Sequence, residues 1–331
     1  MLIIILFSAL LLVCIICALS IGRYKLISPF YVVKILIARI FGTDWGIPEV
    51  MSNVVVSMRL PRIIAAVLIG MGLALSGATY QSIFKNPLVS PDILGVSGGA
   101  CVGASIAILS HLNNAGVQIC AFAGGLAAVI LTVSIPKIIR KNSTLMLVLA
   151  GIIVGGLTSS IIGITKYVAD VETELPELVF WQMGSLSKLK TDNLLAVGPV
   201  ILVAAIILIC MRWRLNVLSL EDRDSKTLGV NIKLERGICI GLATLMTASS
   251  VCLAGTIGWV GLVMPHLARL IVGSNNSRAI PVTALLSGSF MLIVDTLARS
   301  IADLEIPLGI ITGLVGTPFF VFALLRERSV D

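Results

Sequence analysis

Apolar residues come in runs long enough to cross a lipid bilayer, and they do so along the whole chain. Hydrocarbon about 30 Å thick is crossed by about 20 apolar residues in helical form. Reading the sequence at that length places spans near residues 2–22, 52–80, 92–109, 117–138, 144–168, 193–211, 234–254, 257–272, 279–301 and 306–325. Lipid offers no partner for backbone N–H and C=O groups, so a span is a helix or a strand of a closed barrel. The period-2 alternation of a strand is absent. The expected fold is therefore all-α, a polytopic membrane protein of about ten transmembrane helices. Only 12% of residues are charged, about half the fraction usual in soluble domains. Polar stretches are too short for a separate soluble domain, so residues 1–331 read as one transmembrane domain. The run 2–22 lacks a basic leader and a small-residue cleavage site, and reads as a retained first span. Residues 29–41 are weakly amphipathic and read as a segment along the outer surface.

Basic residues orient such a bundle, because inner loops collect Lys and Arg. With the N-terminus inside, fourteen of the 24 basic residues fall in inner connections and ten in outer ones, which places both termini on the cytoplasmic side. An anionic leaflet accounts for the basic inner face without nucleic acid. Asp170, Glu172, Glu174 and Glu177 gather in one outer loop.

The densest inner charge is an island at residues 218–230. Glu221, Asp222, Arg223, Asp224 and Lys226, with Ser225 among them, are framed by Leu218, Leu220, Leu228, Gly229 and Val230. Residues 220–228 have the length of two turns of amphipathic helix, which suits a gripping surface outside the bilayer.

Little in the chain can do covalent chemistry. Nothing fits the phosphate-binding loop G-x-x-x-x-G-K-[ST], so work against a gradient draws on a partner or an ion gradient. His111 and His266 are far apart in sequence, and Cys14-x-x-Cys17 sits inside a span, where small packing residues are expected. No cofactor and no metal site are expected. Asp295, within a span, is the acid an ion-coupled carrier would use, but Arg299 stands at i+4 and reads as its ion-pair partner. Asp92 follows Pro91 at a helix start and reads as a cap. Arg59 and Arg62 in Met58-Arg-Leu-Pro-Arg62 lie in the outer third of the second span. Two readings stand: snorkelling to the headgroups, or an outward basic site for acidic side chains of a docking protein.

Gly95/Gly99/Gly103, Gly151/Gly155, Gly237/Gly241 and Gly309/Gly313 have the four-residue spacing of close helix contacts. The pairing of a long span with a short one occurs twice, at 52–109 and at 234–272. In the first, Leu75-Ser-Gly77 precedes Pro91-Asp-Ile-Leu94; in the second, Leu253-Ala-Gly255 precedes Pro265-His-Leu-Ala268. The two halves should run in opposite directions, as inverted repeats do, although Gly-rich spans also resemble one another by chance.

Several blocks, in order, carry a resemblance: Arg59-Leu-Pro-Arg62; Gly72 and Ser76-Gly-Ala78; Gln81; Asn86-Pro-Leu88; Pro91; Leu94-Gly-Val-Ser-Gly-Gly-Ala100; Phe180-Trp-Gln-Met-Gly-Ser185; the island; Leu253-Ala-Gly-Thr-Ile-Gly-Trp-Val-Gly-Leu-Val-Met-Pro-His266, with Trp259 in place of the usual Phe; Asp295 to Arg299; Glu305-Ile-Pro-Leu-Gly309; and Gly313 to Pro318. Together they resemble the FecCD-type permeases, membrane subunits of ABC importers for iron–siderophore complexes, haem and cobalamin. The resemblance implies ten spans per subunit, a second permease subunit (identical or a close paralogue), two ATPase subunits below and an extracytoplasmic substrate-binding protein above. It implies that Arg59, Arg62 and Arg299 receive glutamates of the binding protein. It implies equally that Leu220, Glu221, Asp222, Arg223, Asp224, Ser225, Lys226, Leu228 and Gly229 meet the ATPase, and that His266 is structural. The expected role is translocation of a metal complex, ferric siderophore first, with haem or cobalamin as alternatives. An ion-coupled carrier is the rival from another class.

Overall fold

The computed structural model describes residues 2–22, 26–43, 45–140 and 143–327, without the side chains of Asp222, Arg223, Lys226 and residues 322–327. Among the described residues every regular element is helical. In chain order they are α1 (Leu2–Ser20), α2 (Pro29–Phe41), α3 (Glu49–Asn53), α4 (Leu60–Phe84), α5 (Val96–Leu109), α6 (Asn114–Ile138), α7 (Thr144–Val168), α8 (Glu174–Met183), α9 (Thr191–Cys210), α10 (Arg212–Leu218), α11 (Asp222–Thr227), α12 (Ile232–Ala254), α13 (Val260–Val272), α14 (Asn276–Ala298) and α15 (Leu308–Glu327). Seven helices among the described residues are long and apolar enough to cross a membrane, and three shorter apolar ones (Val96–Leu109, Val260–Val272, Leu308–Val321) accompany them. These coincide one for one with the ten expected spans. α3 runs into α4 through a π-helical turn, Val54–Arg59, giving a continuous helix over Glu49–Phe84. Pro61 lies just after this π turn, inside the continuous helix, where it supplies no N–H to the helical ladder.

α4 is the axis of the bundle. Nearly all its residues from Ile69 to Phe84 are buried, and it packs against α14, α12, α13 and α9. Small residues make this crowding feasible, since helices in lipid associate by close packing and not by hydrophobic expulsion. A Cβ added at Gly77 would lie 1.7 Å from the Gly261 carbonyl oxygen of α13, and one at Gly70 would lie 2.6 Å from the Ser287 carbonyl of α14. Toward α12, Ser76 Oγ donates to the Ala243 carbonyl (2.9 Å), and Tyr80 shares a hydrogen bond with Thr244 (3.1 Å). The lipid-facing belt lies elsewhere. α1 buries only Ala18, Leu19 and Ser20, at its C-terminal end.

The expected glycine pairs divide. Gly99 and Gly103 of α5 press on the backbone of α6 at Gly124 and Cys120, and Gly151 on the carbonyl of Ile93; Gly237 and Gly241 face open space. The two long–short pairs meet at their breaks. A Cβ at Gly261 would strike Pro91 at 2.3 Å and the Leu73 carbonyl at 2.9 Å. α4 and α12 run antiparallel, because Gly72 faces Met246 and Ser250 while Tyr80 faces Thr244. The opposed directions expected of the two halves are present.

The tightness at Gly77 generates a prediction. Gly77→Val sets a side chain against backbone that cannot rotate away. It should cost about 3 kcal/mol, the upper end of overpacking penalties, seen as a lower unfolding temperature of the detergent-solubilised protein by fluorescence size exclusion. Gly237→Val, with nothing within 4 Å, should leave that temperature within a few degrees of the parent.

Candidate functional site

At one end of the bundle the chain gathers Arg59, Arg62 and Arg299 within electrostatic reach of one another. The sequence reading has them facing outward, either to headgroups or to a partner. In the structure they turn into the protein. Arg59, at the end of the π turn, is 5% exposed, and its Nη1 donates to the carbonyls of Leu19 (2.5 Å) and Ser20 (3.0 Å). These are carbonyls of the last turn of α1, which has no intrahelical donors left for them and presents the negative end of the helix dipole. Arg299, 6% exposed, donates from Nη2 to the neighbouring Ala18 carbonyl and to Thr296 Oγ1 (3.4 Å).

Asp295 sits between the arginines and is itself 1% exposed. Its i+4 ion pair with Arg299 is present, Nε to Oδ2 at 3.5 Å. A closer partner is Arg62, whose Nε donates to Oδ1 at 2.9 Å. Arg62 then turns its two terminal nitrogens to Glu305, Nη1 to Oε1 at 2.9 Å and Nη2 to Oε2 at 3.0 Å. This forked pair is the strongest geometry open to a guanidinium and a carboxylate. Glu305 is a member of the site that the sequence reading did not single out as charged; its partner lies 243 positions away, and no local spacing reports such a pair. Two arginines hold Asp295 here, a setting that favours the ion-pair reading of this acid.

The same end carries α8, a helix within the stretch read as an acidic loop. Its first turn holds Glu174 and Glu177. Lys188 Nζ bonds Glu177 at 2.6 Å, and His111 Nε2 lies 3.5 Å from Glu174. Between them opens a cavity of about 510 Å³ lined by His111, Asn114, Glu177, Trp181, Lys188 and Lys190, among others. Asp170 keeps its carboxyl below the usual range, because Thr173 and Glu172 donate hydrogen bonds to it. His266 is buried in α13, edge-on to Phe320 at 6.0 Å between ring centroids.

The island lies at the opposite end. The stretch expected to be helical, 220–228, holds one short helix, α11, and α10 precedes it, joined through residues 219–221. α10 anchors it: Leu215, Val217 and Leu218 are buried. In α11 the buried residue is polar. Ser225, 1% exposed, donates from Oγ to the Val217 carbonyl (2.7 Å) and folds the second helix back onto the first. Gly229 then turns the chain at φ 73°, a value that favours glycine. The four apolar residues that frame the island divide: Leu218 and Val230 are buried, while Leu220 is 43% and Leu228 56% exposed, and Glu221 and Asp224 are exposed beside them. The side chains of Asp222, Arg223 and Lys226 lie outside the described residues.

Two attachments couple the island to the spans, and neither was legible beforehand. Asn216 donates to Asn275 Oδ1 (2.9 Å) and accepts from the Asn276 N–H (2.7 Å), at the start of α14. Arg214 Nη1 bonds Glu235 of α12 at 2.8 Å.

Comparison with known proteins accounts for this arrangement. The family model of the FecCD transport family matches residues 10–326. The chain is 40% identical to the molybdate import permease MolB of Haemophilus influenzae, over 92% of this chain and 89% of that one. It is 38% identical to the cobalamin import permease BtuC of Halobacterium salinarum (87% and 77%) and 34% identical to the hemin transport permease HmuU of Yersinia pestis (87% and 89%). A solved ABC transporter described as metal-chelate type, in an inward-facing conformation, superposes with a TM-score of 0.88 at 37% identity, covering 98% of this chain and 99% of that one. The chain belongs to the FecCD transport family: it is a membrane-spanning ABC permease subunit, a transport component that leaves ATP hydrolysis to a separate ATPase.

Proposed function

We propose that this permease forms the translocation pathway of an importer with a second permease subunit, identical or closely related. Two ATPase subunits drive it at the island, and a substrate-binding protein delivers cargo at the arginine end. The bundle then lies with the island and both termini on the cytoplasmic side of the cell membrane, in keeping with fourteen inner basic residues against ten outer ones.

One observation carries the reading. The island holds its backbone rigidly through Ser225 and Asn216 while presenting Leu220, Leu228 and two carboxylates outward. Exposed leucines set among charges at the end of a membrane bundle are a surface made for a protein partner. A closing ATPase pair pushing there moves α14 through Asn216 and α12 through Arg214.

At the arginine end the proposal keeps Arg59, Arg62 and Arg299 together and divides their work. Arg62, 15% exposed at its side chain, is the member an incoming carboxylate reaches. Arg59 and Arg299 fix the end of α1 and hold Asp295 and Arg62 in register. Such pairs orient a partner and speed its arrival more than they hold it.

The cargo proposed is a metal complex, ferric siderophore first, with haem and cobalamin as alternatives. The similarity to a molybdate permease favours one further reading, an oxyanion of a metal.

Two tests follow. Leu228→Asp with Leu220→Asp should lower co-purification of the ATPase at least about tenfold, the scale of losing buried interface anchors, with membrane insertion intact; deletion of residues 221–226 should abolish it. Normal ATPase recovery in both would remove the island from the interface. In vesicles, ferric siderophore uptake should require ATP and the binding protein and ignore an imposed ion gradient. Accumulation of haem, cobalamin or molybdate in its place reassigns the cargo.

A further inference from the structure

Arg62 is already occupied by the very chemistry a docking protein would bring. We infer that Glu305 is an internal stand-in for a carboxylate of the substrate-binding protein, and that docking is an exchange in which the incoming carboxylate displaces Glu305 from Arg62. The inference rests on the docking reading above and specifies how that site is regulated.

The two acids on Arg62 differ in what holds them. Asp295 lies within α14, is 1% exposed, and takes the inner side of the guanidinium, its Oδ1 2.9 Å from Nε and 2.8 Å from Nη2, the nitrogen it shares with Glu305. Glu305 comes from the irregular stretch between α14 and α15, is 20% exposed at its side chain, and takes the outer fork of two terminal nitrogens. The acid held within a helix is on the inside, and the acid on the irregular, more exposed stretch is on the outside. A carboxylate arriving from outside can take the two terminal nitrogens, sharing Nη2 with Asp295 as Glu305 does, while the Asp295 bond to Nε stays in place.

The exchange also has somewhere to go. Glu305 is followed at once by two backbone bonds, Ile306 N–H to the Ala298 carbonyl (3.1 Å) and Leu308 N–H to the Gly184 carbonyl (2.8 Å). The first ties the stretch to the end of α14, the second to the turn after α8 that borders the start of α15. Glu305 leaving Arg62 loosens the peptide that joins these elements. Leu304, 84% exposed, and Ile301, 65% exposed, give the same stretch an apolar edge for a partner to cover once it moves. Without Glu305 the resting permease would hold three arginines against Asp295 alone. With it the cluster keeps a single excess positive charge, enough to draw an acidic partner.

The test titrates the substrate-binding protein that co-purifies with the importer onto the complete importer in nanodiscs at low salt. Glu305→Gln, which empties the fork of charge, should tighten Kd about tenfold, and Arg62→Gln should weaken it about tenfold, the scale of one close charge pair. Glu305→Asp keeps the charge, is one methylene too short for the fork, and should fall between parent and Glu305→Gln; it serves as the reading should Glu305→Gln reduce folded yield. An unchanged or weaker Kd for both Glu305 variants, with Arg62→Gln weaker, overturns the exchange and leaves the docking reading standing. An unchanged Kd for Arg62→Gln overturns both. Hydrogen exchange at Ile306 and Leu308 supplies a second readout: docking should speed it in the parent, and undocked Glu305→Gln should already show the faster rate. Exchange indifferent to docking refutes the loosening.

Discussion

Asp295 sets the terms for one whole end of this molecule. A carboxylate 1% exposed inside a membrane bundle persists only with cations brought to it. Those cations come from α4 and from α14 itself, and the guanidinium of Arg62 continues outward to Glu305. Arg59 and Arg299 reach past the cluster to three successive carbonyls at the end of α1. The first helix, which fully buries only its last three residues, is thereby tied to the two central ones through the carbonyls of its last turn. Removing one partner from such a cluster strands a buried charge, at a cost of about 3–5 kcal/mol. The end of the bundle is held by electrostatics where the middle is held by glycine contacts.

α14 joins the two ends. It begins at Asn276, whose N–H is held by Asn216 of α10, and its last turns carry Asp295 and reach Arg299. Its 23 residues span about 34 Å at 1.5 Å per residue, roughly a bilayer core. A helix packed along α4 through Gly70 and α13 moves as a rod, because close-packed interiors transmit strain and do not absorb it. A push at the island and a release at Glu305, as proposed, would therefore act on opposite ends of one element. That is the physical content of coupling here: a shared rigid body with a contact at each end, not a chain of remote influences.

The ten spans were legible because lipid imposes both length and composition on them, and the boundaries fall within a few residues of those read from the apolar runs. The irregular Asn86–Pro87 region and the break before α13 were also legible, from Gly and Pro. What the sequence did not disclose is direction. Arg59 and Arg62 read equally as snorkelling or docking residues, because the groups that turn them inward are the carbonyls of residues 18–20 and two acids more than 230 positions away. The island read as amphipathic, but a two-turn period does not say which face is buried. Ser225 is inside while Leu220 and Leu228 are outside, since Ser225 can bond the Val217 carbonyl and a leucine cannot. Glycine spacing was half informative for a similar reason: Gly237 and Gly241 have the pattern of Gly99 and Gly103 without a helix in this chain to receive it.

A basic docking site at a membrane surface meets two opposing demands. It must stay charged to steer a partner, yet a bare guanidinium among buried arginines is unstable and attracts any anion present. An internal carboxylate that can be exchanged, as proposed for Glu305, would meet both. It supplies the fork with a partner while nothing is docked, and it gives way to a second carboxylate at little net cost, because the bonds broken and the bonds made are of the same kind. In the proposed exchange the net free energy of docking comes mainly from the surrounding surface, and the Arg62 pair adds about the tenfold that its loss is expected to remove. An exchange of this kind makes the arginine end selective for a partner that brings its acid to the right place, while leaving total affinity low enough for the partner to depart after delivery.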